Sequence, residues 1–289
     1  MTTAPYFEHS TTDLIDFLVE NPGDFDRVRV VAASLLQAKQ NERLWVICDE
    51  LRRIGRLNGF VAPAMSECAQ LPVQLATIDE IFDFSFWLEV IQIELSDDQL
   101  KELGKHVEGE LQWSPFSETR SSAGSGRWIP SLHEEDSTLV QEIHESIESQ
   151  VLQYIKEKAQ QSNSEFIQRA PRLASLQSWA ISHDSDGHEA WHLHPDGYLS
   201  GVLYLNVPRD MQRIWSNEKY LPGSIEFSKW YPFDEHPRQY ADRDRIIIRP
   251  RSGMLLIFPS YYPHRTWPTG SAEPRTCISF DIVPPRSSE

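Results

Sequence analysis

Four side chains in the C-terminal half combine the chemistry and the spacing of metal ligands: His192, His194, Asp196 and His264. The stretch Trp191-His192-Leu193-His194-Pro195-Asp196-Gly197-Tyr198 sets His192 and His194, or His194 and Asp196, two positions apart. In a strand, side chains i and i+2 share a face, so either pair converges on one point. His264 follows the apolar run Met254–Phe258 and supplies a third group. A single histidine is ordinarily a surface or satisfied core residue, and the chain has ten. Company lifts these three: two on one extended segment and a third beside a later strand of the same β-rich half. Two imidazoles and one carboxylate with open positions suit non-haem Fe(II), and the carboxylate offsets the metal's charge. That chemistry favours Asp196. Both pairs have the same strand geometry, so spacing does not choose between His192 and Asp196, and all four remain candidates.

These ligands need a rigid frame, and the surrounding residues read as one. Leu199–Leu205 has the apolar, β-branched character of a buried strand, and Pro195-Asp196-Gly197 is turn chemistry. From Leu173 onward, short apolar segments alternate with Pro, Gly and Asp. They are Ser175–Ser182, Glu189–His194, Leu199–Val207, Ser224–Phe227, Arg245–Arg249, Met254–Phe258 and Thr276–Val283. Seven short strands with turn signals between them predict a sandwich or jelly roll. Before them, Leu139, Ile143, Ile147, Val151, Leu152 and Ile155 form one stripe of a helix over Asp136–Gln160, with Asp136 and Ser137 as caps. Thr11–Gly59 repeats apolar residues at three- and four-residue intervals and reads as helices broken at Asn21-Pro22-Gly23-Asp24. Ala62–Val73, with Pro63 and Pro72, reads as a connector. Phe82, Phe84, Phe86 and Trp87 read as core packing. Asp97–Glu110 reads as a charged surface helix. A Ser- and Gly-rich loop, Glu118–Gly126, separates a helical N-terminal region, 1–120, from a β-domain, 127–289.

Composition narrows the function. A formal charge of −16 and a pI near 5.0, with no Lys/Arg cluster, argue against nucleic acid. Cys48, Cys68 and Cys277 are widely spaced and odd in number, as expected of reduced thiols in the cytoplasm. The N-terminus lacks a signal-peptide pattern, and no apolar run reaches the roughly 20 residues a membrane span takes. A cytoplasmic protein without membrane contact is expected. The unpaired apolar stripes of the N-terminal helices leave room for a homodimer.

Taken together, several blocks in order resemble the Fe(II)- and 2-oxoglutarate-dependent oxygenases, in particular a bacterial and phage-type branch with His-x-His-Pro and Ser-Gly-Val-x-Tyr motifs. The blocks are Ser178-Trp179-Ala180, His192-Leu193-His194-Pro195, Leu199-Ser200-Gly201-Val202-Leu203-Tyr204-Leu205, Gly223–Phe227, Phe258-Pro259-Ser260, His264 and Arg275–Phe280. The resemblance implies an α+β fold whose C-terminal part is a double-stranded β-helix (jelly roll) with flanking helices. It implies Fe(II), 2-oxoglutarate and O2, with hydroxylation of a C–H bond in a small molecule or peptide and release of succinate and CO2. It further implies that Arg275, eleven positions after His264, clamps the far carboxylate of 2-oxoglutarate, with Tyr204 and Ser279 as hydroxyl partners. Relatives often carry Ser two residues after the Arg, where this chain has Cys277. A surface ion pair of Arg275 with Glu273 or Asp281 is the competing reading, and a cupin-like metal-binding jelly roll without oxygenase turnover is the competing function.

Other chemistry-bearing residues fit a plainer account. His183 and His188 read as part of a polar hairpin loop at the site entrance. Trp191, Tyr198, Trp215 and Trp230 are pocket walls or ordinary packing. Arg243, Arg245, Arg249 and Arg251 read as protection of a strand edge.

Overall fold

Apolar residues three and four apart shape the N-terminal third into helices, as their spacing requires. The computed structural model describes residues 6–20, 25–93, 95–109, 111–115, 122–172, 174–211, 222–230 and 244–285. Asn21-Pro22-Gly23-Asp24, Leu173, Trp215, Arg243 and the 118–121 part of the Ser/Gly-rich loop lie outside them. Helices α1 (Thr11–Glu20), α2 (Phe25–Gln37) and α3 (Asn41–Arg53) are followed by α4 (Val61–Cys68) and α5 (Pro72–Ile81). The two prolines that suggested a connector over Ala62–Val73 instead open helices. Pro63 sits in the first turn of α4 and Pro72 at the start of α5, where a missing N–H breaks no helical bond. Asn58 caps α4, its Oδ1 accepting from the amides of Phe60 and Val61 at 2.9 and 3.0 Å.

The aromatic run divides into a short helix, α6 (Phe84–Trp87), and a strand, β1 (Glu89–Gln92). Asp83 caps α6 by accepting from Ser85 N at 3.0 Å. Phe82 is fully buried and stacks on Tyr262 at 5.4 Å, so the run is core. Helix α7 (Asp97–Gly109) follows, then β2 (Ser114–Pro115), β3 (Ser122–Ala123) and β4 (Gly126–Ile129). Helix α8 (Thr138–Gln161) buries Ile143, Ile147 and Val151 of the expected stripe, together with Val140, while Leu152 faces solvent. Ser137 stands at its N-cap, but the hydroxyl bonds His106 Nε2 at 2.7 Å instead of the helix amides. Helix α9 is Glu165–Gln168.

The β-rich half comprises β5 (Ser175–His183), β6 (His188–Glu189), β7 (Leu199–Asn206), β8 (Ile225–Ser228), β9 (Arg245–Ile248), β10 (Met254–Pro259), β11 (His264–Thr266) and β12 (Arg275–Val283). A seven-stranded antiparallel sheet has the order β1-β10-β7-β12-β5-β4-β2, and a three-stranded sheet the order β11-β8-β9. Residues of both sheets line one cavity, giving the jelly-roll core of an α+β fold with flanking and N-terminal helices. β7 lies between β10 and β12 in the sheet, and Gly201 lets both pack close against it: a Cβ there would lie 2.2 Å from Phe280 Cζ and 2.4 Å from Leu256 O. None of the described helices is long and apolar enough to cross a membrane.

Candidate active site

Strand alternation builds one wall of the cavity. On β12 the residues Arg275, Cys277, Ser279 and Asp281 share a face, and their cross-strand partners on β5 are His183, Ile181, Trp179 and Gln177. On the other side, β7 sets Tyr204, Val202 and Ser200 opposite Cys277, Ser279 and Asp281. All but Ser200 line a cavity of about 480 Å³. The same cavity is lined by His192, His194 and His264.

The three imidazoles converge. A nitrogen of each of His192, His194 and His264 lies within 4.8 Å of the others. The segment expected as strand Glu189–His194 leaves the ladder after Glu189; His192 pairs only through an isolated bridge with His264, N to O at 2.9 Å in both directions. Each ring is held from behind. Nδ1 of His192 contacts Ala190 O at 2.8 Å, Nδ1 of His264 contacts Tyr262 O at 2.9 Å, and Nδ1 of His194 contacts Asp281 Oδ1 at 2.6 Å. Those partners are acceptors, so each Nδ1 carries the proton and each Nε2 keeps a lone pair for a metal. Burial, and then the neighbouring imidazoles, push His264 well down. Burial, and then His194, push His192 to about 4. Both are therefore neutral at pH 7, the form that ligates. The donor set fits a divalent transition metal.

Asp196 is not in this cluster. Pro195 begins a turn closed by Gly197 N to His194 O at 3.2 Å, and the turn carries Asp196 out to solvent at the cavity rim. A carboxylate does serve the centre, one step further out. Asp281 holds His194 and also accepts from Ser200 Oγ at 2.6 Å, while Ser200 in turn meets Ser260 at 2.7 Å. Sequence reasoning treated Asp281 only as a rival partner for Arg275. The period-2 rule held the signal, since Asp281 is six residues after Arg275 and shares its face.

Arg275 is buried, with 1% of its surface exposed. NH1 donates to Gly223 O at 2.7 Å, and NH2 donates to Thr266 Oγ1 at 3.1 Å and to His183 Nδ1 at 2.9 Å. Its Nε has no partner, and no carboxylate pairs with it among the described residues. Neither Glu273 nor Asp281 is its counter-ion. Tyr204, also 1% exposed, lies on the same wall, its hydroxyl pKa raised by burial. Cys277 is pushed up to about 11, again chiefly by burial, so its thiol stays protonated.

His183 is inside the cavity wall at the end of β5, not in an entrance loop; the loop begins after it, at Asp184. Tyr198 packs as core, its ring stacked on Phe166 at 4.6 Å and its hydroxyl donating to Phe166 O at 2.8 Å. Trp191 faces Arg265, whose guanidinium lies 4.9 Å from the ring centre.

Residues 177–281 match the family model described as putative 2OG-Fe(II) oxygenase, the family that the motifs resemble. No curated protein matches the chain. Among similar solved structures is a Pseudomonas putida prolyl-4-hydroxylase, with 16% identity, 72% of this chain and 98% of that chain covered, and a TM-score of 0.47. A Trichoplax adhaerens prolyl hydroxylase in complex with a hypoxia inducible factor peptide fragment shows 14% identity, coverage of 76% and 99%, and a TM-score of 0.45. HygX from Streptomyces hygroscopicus, with nickel and 2-oxoglutarate bound, shows 13% identity, coverage of 75% and 88%, and a TM-score of 0.45.

Proposed function

With the match of residues 177–281 to the 2OG-Fe(II) oxygenase family as premise, we propose that the protein uses Fe(II), 2-oxoglutarate and O2 to oxidise a C–H bond, hydroxylation being the outcome. His192, His194 and His264 are the metal ligands in this reading. Arg275 and Tyr204 bind the far carboxylate of the co-substrate, with Ser279 beside them. The bound metal and co-substrate supply the oxidising power, with succinate and CO2 as co-products. The chain's own residues bind, orient and exclude water. The three held imidazoles would bind the metal, and the apolar wall of Ile181, Val202, Ile225 and Phe258 would keep solvent from the reacting atoms.

One observation carries the proposal: a buried guanidinium without a carboxylate partner among the described residues lines the same cavity as three converging imidazoles. An uncompensated buried cation is costly, and an anionic ligand repays that cost. The test is succinate formation at saturating iron, titrated with 2-oxoglutarate. Arg275→Ala should weaken the apparent affinity by about 10- to 150-fold, the equivalent of about 1.5–3 kcal/mol of charged hydrogen bonding. Arg275→Lys should recover only part, because ammonium lacks the planar fork. An unchanged affinity in Arg275→Ala refutes the clamp.

The all-imidazole ligand set favours a second reading, a metal-binding jelly roll without oxygenase turnover. It predicts metal retention with no succinate from any substrate panel, and leaves the buried Arg275 without a purpose.

A further inference from the structure

Arg275, His183 and Glu189 form a chain of hydrogen bonds whose direction is dictated by donor chemistry. A guanidinium only donates, so His183 Nδ1, 2.9 Å from Arg275 NH2, must be the acceptor. The imidazole proton then sits on Nε2, which lies 3.2 Å from Glu189 Oε1 and donates to it. All three residues line the cavity, and His183 and Arg275 are each 1% exposed. Thr266 Oγ1 ties the two ends together, accepting from Glu189 N at 2.8 Å and from Arg275 NH2 at 3.1 Å. A direct Glu189–Arg275 ion pair would use up the donors that an incoming carboxylate needs. With one neutral imidazole between them, Glu189 offsets the buried charge from a distance and leaves the guanidinium without a competing carboxylate.

We propose that His183 and Glu189 are positioning residues for the co-substrate: Glu189 holds His183 in its Nε2–H form, and His183 thereby holds Arg275 ready for the far carboxylate of a 2-oxo diacid. The inference rests on the co-substrate reading above and deepens it. Its expected signature is selectivity, because only a ligand with the second carboxylate senses the relay. A protonated His183 would turn Nδ1 into a second donor facing the guanidinium, and burial opposes that form.

The experiment is isothermal titration of the full-length Ni(II)-loaded protein with 2-oxoglutarate and with 2-oxobutyrate, a 2-oxo acid without the far carboxylate. Wild type should prefer 2-oxoglutarate by about 10- to 150-fold, the worth of a charged hydrogen-bonded pair. His183→Leu should cut that ratio by about tenfold or more, with 2-oxobutyrate binding unchanged. His183→Gln, whose amide offers one acceptor and one donor, should restore most of it. Glu189→Ala should lower the ratio in the same direction, and carries the test if His183→Leu does not fold. A wild-type ratio retained in His183→Leu, or in Glu189→Ala, overturns the relay while leaving the function intact. No preference in wild type overturns the Arg275 assignment, and the relay with it.

Discussion

Asp281 shows how a single residue changes the chemistry available to a histidine. Its carboxylate reaches His194 at 2.6 Å, so in the proposed metal site a negative charge would act on the metal through an imidazole. Removing such a partner typically costs 10- to 100-fold in metal affinity. Asp281→Asn should therefore weaken Fe(II) binding by about 10- to 100-fold in anaerobic equilibrium dialysis, and His264→Ala should abolish it. Full iron content in His264→Ala would remove that ligand, and Asp196→Ala should bind iron like wild type. Two further histidines set an acid limit. His144 and His183 are pushed down to about 4, each chiefly by burial, with His133 then acting on His144. The unfolded chain takes up these protons near the ordinary value of about 6.5. Between about pH 6.5 and 4 the unfolded state thus binds more protons than the folded one, so stability falls as pH drops through that window and levels off below it. Urea midpoints measured at pH 7.5, 5.5 and 4.5 should decline, and His144→Gln should flatten part of the decline.

Within the β7 element, the Ser-Gly-Val-x-Tyr motif resolves into separate physical jobs. Ser200 braces Asp281, Gly201 gives room for Phe280 and the Leu256 carbonyl, and Tyr204 reaches the cavity. Gly201→Ala forces a methyl against backbone in a central strand, where overpacking costs about 1–3 kcal/mol. Chemical denaturation should register that loss, and a variant as stable as wild type would show that the strands shift freely. The strands themselves were legible as apolar runs bounded by turn residues, since both signals are local. β1 was not, because Glu89–Gln92 follows directly on a helix and becomes a strand by pairing with β10. The histidine segment was read as regular strand for its spacing, yet beyond Glu189 its only strand-like pairing is the single bridge of His192 with His264.

Across the whole molecule, the N-terminal helices and the sheet share one buried core. The hydroxyls of Tyr261 and Tyr262 donate to Ile81 O at 3.2 and 3.3 Å, Tyr154 donates to Trp87 O at 2.7 Å, and Lys158 pairs with Glu89 at 2.9 Å. A chain beginning at Arg127 loses β1 and these partners, baring the β10 edge and a row of aromatics. Size-exclusion chromatography should show it aggregated or unfolded; a soluble, active monomer would refute the coupling. The sequence alone determined most helical stripes and strands, the four candidate ligands His192, His194, Asp196 and His264, and the period that faces Arg275, Cys277 and Ser279 one way, because all of these depend on spacing along the chain. Only the tertiary structure turned Asp196 to solvent, set Asp281 behind His194, and drew His183 from a presumed loop to the guanidinium. Those outcomes depend on which strands become neighbours and in what register, and pairing between residues some 90 positions apart leaves no local mark.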